Sequence, residues 1–338
     1  MSANLHSVLK IYIFTAILPL FVFSCKNEKK AFYNFAPEAA KTLTVFSTLD
    51  KDETEMLSAE FENLTGIWVQ THCAPFAQIH EDILSLQEQN QSGVLFCDFL
   101  EAAGPFKELL SDYVKNNTVI PRLYGNKACA AVCATPAAVL YNPHTLQPEK
   151  VLGWIADSKN MEKTAVLNPL PATENYACLY QLLASCKHLE HEIKTASGSF
   201  NLLKTYNTAS EAAAAVSEET VYAAVLPENK ALYVQKLYPG IQSVPLYPEK
   251  KHLLYQVCAI IHTKKNEDTE NEERFIAFLQ SRETQQFLEE HFFYRSVRTD
   301  MNSSNALETA PQKEIDSMNA MRPEILQWWM QNEKGVEK

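Results

Sequence analysis

Between Lys41 and Cys73 the hydrophobic period changes twice. The stretch KTLTVFSTLDKDETEMLSAEFENLTGIWVQTHC first runs β-rich from Thr42 to Phe46, then places Met56, Leu57, Phe61 and Leu64 at helical spacing. Gly66 stops that helix, and Ile67, Trp68 and Val69 open a second strand, so the segment reads as one βαβ unit. A second unit follows: Phe76, Ile79, Ile83 and Leu86 mark one helix face before the strand Val94–Cys97. Alternation of this kind implies a parallel sheet covered by helices on both faces. Ligands of such sheets lie at the carboxyl ends of the strands, where the next helices begin. The corners at Ser47–Asp50 and Phe99–Ala103 are therefore the first candidates for a site.

The same grammar continues beyond residue 128. Cys129–Tyr141 is apolar and strand-like, Thr164–Leu167 forms a further strand, and a helix is expected over 175–186 after NPLPATENY. A helical block near Ser210–Val216, a strand at Val221–Leu226 and an extended run at Leu254–His262 come next. EERFIAFLQSRETQQFLEEHFFYRSVRT reads as one long amphipathic helix with Phe275, Phe278, Leu279 and Phe287 on one side. No internal repeat or low-complexity segment interrupts this order.

At the amino end, Ile11–Phe23 is a 13-residue apolar run, shorter than the roughly 20 residues of a membrane-spanning helix. It has the character of an export signal. Val22-Phe23-Ser24-Cys25 resembles the lipobox of bacterial lipoproteins, in which the cysteine is acylated and becomes the mature N-terminus. On that reading 1–24 is a signal peptide and 25–41 a polar tether, and lipid on Cys25 holds the protein at a bilayer, since two or more acyl chains anchor stably. An uncleaved anchor or a plain secreted form is the alternative.

A formal net charge of −11 argues against a nucleic-acid partner. Of eight cysteines, the seven other than Cys25 cannot all pair. Cys129 and Cys133 lie four apart on a strand, and Cys178 and Cys186 eight apart on a helix, too far to bridge locally; most read as small buried hydrophobes. GxSxG, P-loop, HExxH and GxGxxG motifs are missing from the sequence, and eight glycines leave little for phosphate-cradling loops. His188 and His191 fall in a charged helix and read as a solvated face. His72 and Cys73, adjacent on a strand, point to opposite faces.

Several stretches together resemble the extracytoplasmic solute-binding proteins of ABC importers, in the cluster that includes ferric-ion, thiamine and phosphonate binders. They are Leu43–Ser47 ahead of a helix ending in Leu64–Ile67; Cys97-Asp98-Phe99; Ala138–Asn142; Val166–Pro169 with Tyr176; and Phe275–Leu279 running to Phe293–Arg298. The last is similar to the family's closing signature, and with Trp328 and Trp329 the likeness spans most of residues 42–335. The resemblance implies an α/β, two-lobed periplasmic-binding-protein type II fold: two doubly wound lobes joined by crossovers near 135–142 and 244–257. Residues 42–137 and 248–338 would form lobe 1 and 138–247 lobe 2, with a ligand trapped between them by hinge closure. It further implies a monomeric, non-catalytic receptor without a cofactor. Exported and anchored facing the periplasm or cell exterior, it would deliver a small solute to an ABC permease. A surface lipoprotein keeping the fold as an adhesin or sensor is the alternative.

Four loops would face the cleft. The first carries Thr48 and Asp50, the second Leu100 and Glu101, the third Thr173, Glu174, Asn175 and Tyr176, and the fourth Glu228 and Asn229. One carboxylate per loop, converging in a partly desolvated cleft, calls for a positive partner: an organic amine, or a hard metal ion that prefers oxygen ligands. Each acid also has a structural reading. Asp50 with Glu53 suits a helix cap, Glu174 can cap the helix that follows, and Glu101 can be solvated. The third loop reads Ala172-Thr173-Glu174-Asn175 where anion binders of the family have a Gly- and Ser-rich turn, which disfavours phosphate or phosphonate. The fourth lacks the paired tyrosines of ferric binders, which weakens iron. Tyr141 and Tyr255 fall near the crossovers, to line the cleft or pack in the hinge. Arg298 and the Tyr294 segment are expected to secure the closing helix to lobe 1, with Arg298 alternatively countering a ligand carboxylate.

Overall fold

In the computed structural model, residues 42–89, 91–111, 128–185, 199–246, 254–261, 269–301 and 312–333 are described. Cys25, the signal segment, the tether, Cys186, His188 and His191 lie outside them. Among the described residues no helix is long and apolar enough to cross a membrane.

Strand β1 (Thr42–Ser47) pairs in parallel with β2 (Trp68–Cys73), and helix α1 (Lys51–Thr65) connects them. Asp50 caps α1 by accepting from the backbone N–H groups of Asp52 and Glu53. At the other end Gly66, at φ 74°, takes the left-handed conformation a side chain would resist, and its N–H returns to the Glu62 carbonyl. Leu57 and Phe61 are buried on the sheet. Helix α2 (Phe76–Glu88) buries Ile79, Ile83 and Leu86, and leads to the fully buried β3 (Val94–Asp98), which runs parallel to β1. A short helix α3 (Phe99–Ala103) follows.

The chain then leaves this sheet. β4 (Cys129–Thr135) continues through Pro136 into β5 (Ala137–Tyr141), which belongs to a second sheet. That lobe contains α4 (Val151–Ile155), β6 (Thr164–Leu167), α5 (Thr173–Ser185), β7 (Lys204–Tyr206), α6 (Ala209–Ser217), β8 (Ala223–Pro227), α7 (Glu228–Leu237) and β9 (Gln242–Pro245). β10 (Leu254–Ile260) brings the chain back to the first sheet. It is followed by α8 (Glu270–Leu279), α9 (Arg282–Phe292), β11 (Arg295–Ser296) and α10 (Gln312–Glu333). The sheet orders are β11-β4-β10-β3-β1-β2 and β7-β6-β8-β5-β9. Neither sheet is wholly parallel. β10 is antiparallel to β3 and β4, and β5 to β8, because a strand that serves as a crossover must enter or leave against the direction of the βα units.

The expected single helix after Glu272 is instead two. Ser281 adopts an extended backbone and accepts from the Thr284 N–H, so it starts α9 rather than extending α8. The carbonyls freed at the break are taken up: Gln285 Nε2 donates to Leu279 O at 2.8 Å, and Arg298 Nη1 to Gln280 O at 2.8 Å. Arg298 also holds Asp300 through Nε and Nη2, so it secures the closing helices.

One apolar cluster packs Phe61 and Phe96 against Phe275 and Phe278, and another fills lobe 2 around Leu140, Leu226 and Val234. The largest runs through both lobes, from Ile83 and Leu95 through Val139 and Leu182 to Ile315, Met318 and Trp328 of α10. Helix α10 thus touches α3 of one lobe and α5 of the other. Cys97, Cys129, Cys133, Cys178 and Cys258 are buried and Cys73 half-buried, with no disulfide among the described residues.

Candidate functional site

The strands β1, β3, β6 and β8 end toward the junction of the two lobes, and α1, α3, α5 and α7 begin there. Each helix carries an acid in its first turn: Glu53, Glu101, Glu174 and Glu228. Helix N-termini favour negative charge, and packing these four termini together builds an acidic seam.

Glu101, 3% exposed, stands at its centre. Its two oxygens accept from the hydroxyls of Thr48 in lobe 1 and Thr173 in lobe 2. Arg322, on α10, donates to Thr173 Oγ1 at 2.8 Å and lies 5.5 Å from the Tyr176 ring centroid. The Tyr176 hydroxyl in turn donates to Met318 O at 2.6 Å. Burial raises the Tyr176 phenol above its ordinary range. It is a fully buried anchor for α10.

Lobe 2 supplies its own cation. Glu174 pairs with Lys230 on α7; burial pulls the Lys230 ammonium down, but the Glu174 charge and hydrogen bond outweigh it and its pKa is raised. Glu228 is gripped across the seam by Arg295 of β11, through Nε at 2.6 Å and Nη2 at 2.7 Å. This fork geometry suits a carboxylate. Beside the crossover, Asn229 N–H donates to Thr135 Oγ1 at 3.2 Å, and the Thr135 hydroxyl donates to Asn229 Oδ1 at 3.2 Å.

Glu53, Asp98 and Glu101 have no such ion pair among the described residues. Glu53 is 2% exposed; its Oε2 accepts from the Tyr294 hydroxyl at 2.9 Å, and Oε1 has no hydrogen-bond partner among the described residues. Burial first, and the Glu174 and Asp50 charges after it, push this acid up to about 8 against the opposing Tyr294 bond. Asp98, at the end of β3, is pushed well above the usual carboxylate range by burial and by the charges of Glu174 and Glu101. Glu101 is raised too, chiefly by burial, although its two hydroxyl donors and Arg322 resist.

Of the residues expected at the cleft, the fold brings together Thr48, Glu101 and Thr173, and it sets Glu174, Glu228 and Asn229 along the same seam. Asp50 is exposed and caps α1. Asn175 turns its amide to Asn168 O at 2.9 Å, and its buried Oδ1 has no partner among the described residues. Tyr255 lies on β10 opposite Ala134. Sequence reasoning passed over Glu53, Asp98, Lys230, Arg295 and Arg322 as site residues. Asp98 and Arg295 sit inside stretches already singled out and Lys230 directly follows Asn229; Glu53 was absorbed into a cap, and nothing local marks Arg322.

The family model for bacterial extracellular solute-binding proteins matches residues 54–294. Among solved structures, the ferric binding protein from Campylobacter jejuni is 17% identical, with TM-score 0.66 over 86% of this chain and 99% of that one. Iron-bound HitA from Pseudomonas aeruginosa is 16% identical, with TM-score 0.64 over 83% and 99%. The spermidine/putrescine ABC transporter substrate-binding protein PotD from Streptococcus pneumoniae is 15% identical, with TM-score 0.56 over 87% and 100%. At these identities the likeness is one of fold. No curated protein matches this sequence.

Proposed function

Since the chain belongs to the bacterial extracellular solute-binding proteins, and is a binding protein rather than an enzyme, we propose that it is the receptor of an ABC importer that captures a small organic cation between its lobes. The observation that carries this reading is the excess of acids over bases in the seam. Among the described residues Glu53, Asp98, Glu101, Glu174 and Glu228 face Lys230, Arg295 and Arg322; burial raises the pKa of Glu53 and Asp98, and an entering cation would let them ionise beside it. Iron is named for two of the similar structures and polyamines for the third. The engaged donors favour an amine. Both Glu101 oxygens accept hydroxyls, both Glu228 oxygens accept from Arg295, and Glu174 holds Lys230, which leaves few carboxylate oxygens for a metal shell. Among the described residues no group of three His, Cys, Asp or Glu is placed to hold a metal ion.

In this reading lipid on Cys25 keeps the receptor near its permease, and hinge motion at the two crossovers opens the seam. The fold as adhesin or sensor is the second reading, favoured by the way α10 and the Arg295–Glu228 pair bridge the two lobes.

Thermal unfolding with polyamines, other amines, thiamine, amino acids, ferric and divalent metals, and phosphonates tests the receptor. A ligand at about a thousand times its dissociation constant stabilises by roughly 4 kcal/mol, which for a chain of this size raises the midpoint by on the order of 5 to 15 °C. A shift with organic cations alone supports the proposal. A shift confined to metals or anions refutes the amine, and none at all shifts the weight to a sensor or adhesin. Cys25→Ser should release the protein from membranes; retention would rule out the lipid anchor.

A further inference from the structure

Glu53 differs from every other acid of the seam. It is almost wholly buried, yet one of its oxygens has no hydrogen-bond partner among the described residues. An unmet acceptor in such a place is costly, and Glu53 has no role in capping its own helix, since Asp50 does that. Its surroundings point it at the other lobe. From lobe 2 it feels the charges of Glu174 on α5 and Lys230 on α7; from lobe 1 it is met by the Tyr294 hydroxyl, the Cys133 thiol of β4 and, on its own helix, Asp50. Lys230 is already committed to Glu174.

Resting on the receptor reading, we propose that Glu53 is the specificity-determining contact for the solute: its Oε1 accepts an N–H of the solute's ammonium group while Tyr294 holds Oε2, and its carboxyl proton passes to solvent as the cation enters. Geometry supplies the contact, a carboxyl whose Oε2 is fixed by Tyr294 and whose Oε1 is unmatched among the described residues. A cation adjacent to a buried acid favours its ionised form; here burial and the Glu174 charge hold the acid up to about 8, which Lys230, paired to Glu174, only partly offsets. Capture would then exchange a proton for an ammonium, so that the seam never holds an isolated buried charge. A neutral isostere of the solute, lacking that charge, would leave Glu53 protonated and bind poorly.

The test is calorimetric titration of the full chain with putrescine, spermidine and agmatine as probes, at pH 6 to 9, in phosphate and in Tris, whose ionisation heats differ. Wild type should release about one proton per bound amine below pH 8, fewer above it. Glu53→Gln, a shape match for the protonated acid, should release none and bind about 10- to 100-fold more weakly, the loss expected for a hydrogen bond to a charged group. Tyr294→Phe keeps the carboxyl but removes its donor, so the pH at which proton release fades should move upward. Amine binding by Glu53→Gln at wild-type affinity, or an unmoved profile in Tyr294→Phe, overturns the role of Glu53 and leaves the receptor standing. Failure of wild type to bind any of the amines overturns the receptor reading for amines, and the proposal with it.

Discussion

Glu53 and Glu228 both open helices at the seam, and both are less than a tenth exposed. They are treated in opposite ways. Glu228 receives a two-pronged arginine from the other lobe, whereas Glu53 receives one neutral hydroxyl and keeps an oxygen with no partner among the described residues. A buried carboxylate gripped by guanidinium can stay ionised and act as a clasp. One without a cation is cheaper to keep as the neutral acid. The first holds the lobes together; the second waits for a charge.

The largest test of that contrast is pH. The unfolded Glu53 carboxyl gives up its proton near 4.5 and the folded one near 8, so between these values the folded chain binds more protons and its stability falls as pH rises. At about 1.36 kcal/mol per unit, wild type should lose roughly 3 to 6 kcal/mol from this group by pH 9, while Glu53→Gln should not. Equal pH profiles in denaturant unfolding would show that Glu53 is not buried as described. Arg295→Ala strikes the other half. It strands Glu228 and should cost about 3 kcal/mol, at the low end for breaking a buried pair because Arg295 is partly exposed. Scattering should also show a larger radius of gyration; an unchanged radius with normal stability would remove the clasp from the account.

Tyr176→Phe is smaller. Losing the bond to Met318 O should cost about 1 to 2 kcal/mol and loosen α10 in hydrogen exchange; amine affinity falling while stability holds would return Tyr176 to the list of solute contacts. Asp50→Ala should be the mildest, at about 1 kcal/mol for a lost cap, with amine binding unchanged. A loss of binding at constant stability would place Asp50 in the site after all.

The βα alternation was legible because hydrophobic period is a local property: Leu57 with Phe61, and Ile79 with Ile83, are one helical turn apart and bury together. Glu101, Glu174 and Glu228 were legible as a group for the same reason, since each sits in the first turn of a helix that a strand delivers to the cleft; Glu53 read as part of a cap, and Asp98 as the end of a strand. The break at Ser281 was present in the sequence as a serine three residues before Thr284, but the amphipathic stripe carried straight through it and masked the cap. The sense of β10 was not legible, because strand direction follows from where the chain has been.

By itself the sequence determined most of the elements and the acidic character of the helix starts, which follow from interactions within a few residues; the two-lobed order was implied only by the family resemblance. Only the tertiary structure decided which acid meets which partner. Glu228 and Arg295 are 67 residues apart, Thr173 and Arg322 are 149, and Glu53 and Tyr294 are 241. No local pattern encodes such pairs. They arise because burial removes water from around a charge, and the fold then either brings a distant group to replace that water, as it does for Glu228, or leaves one oxygen unmatched, as it does for Glu53.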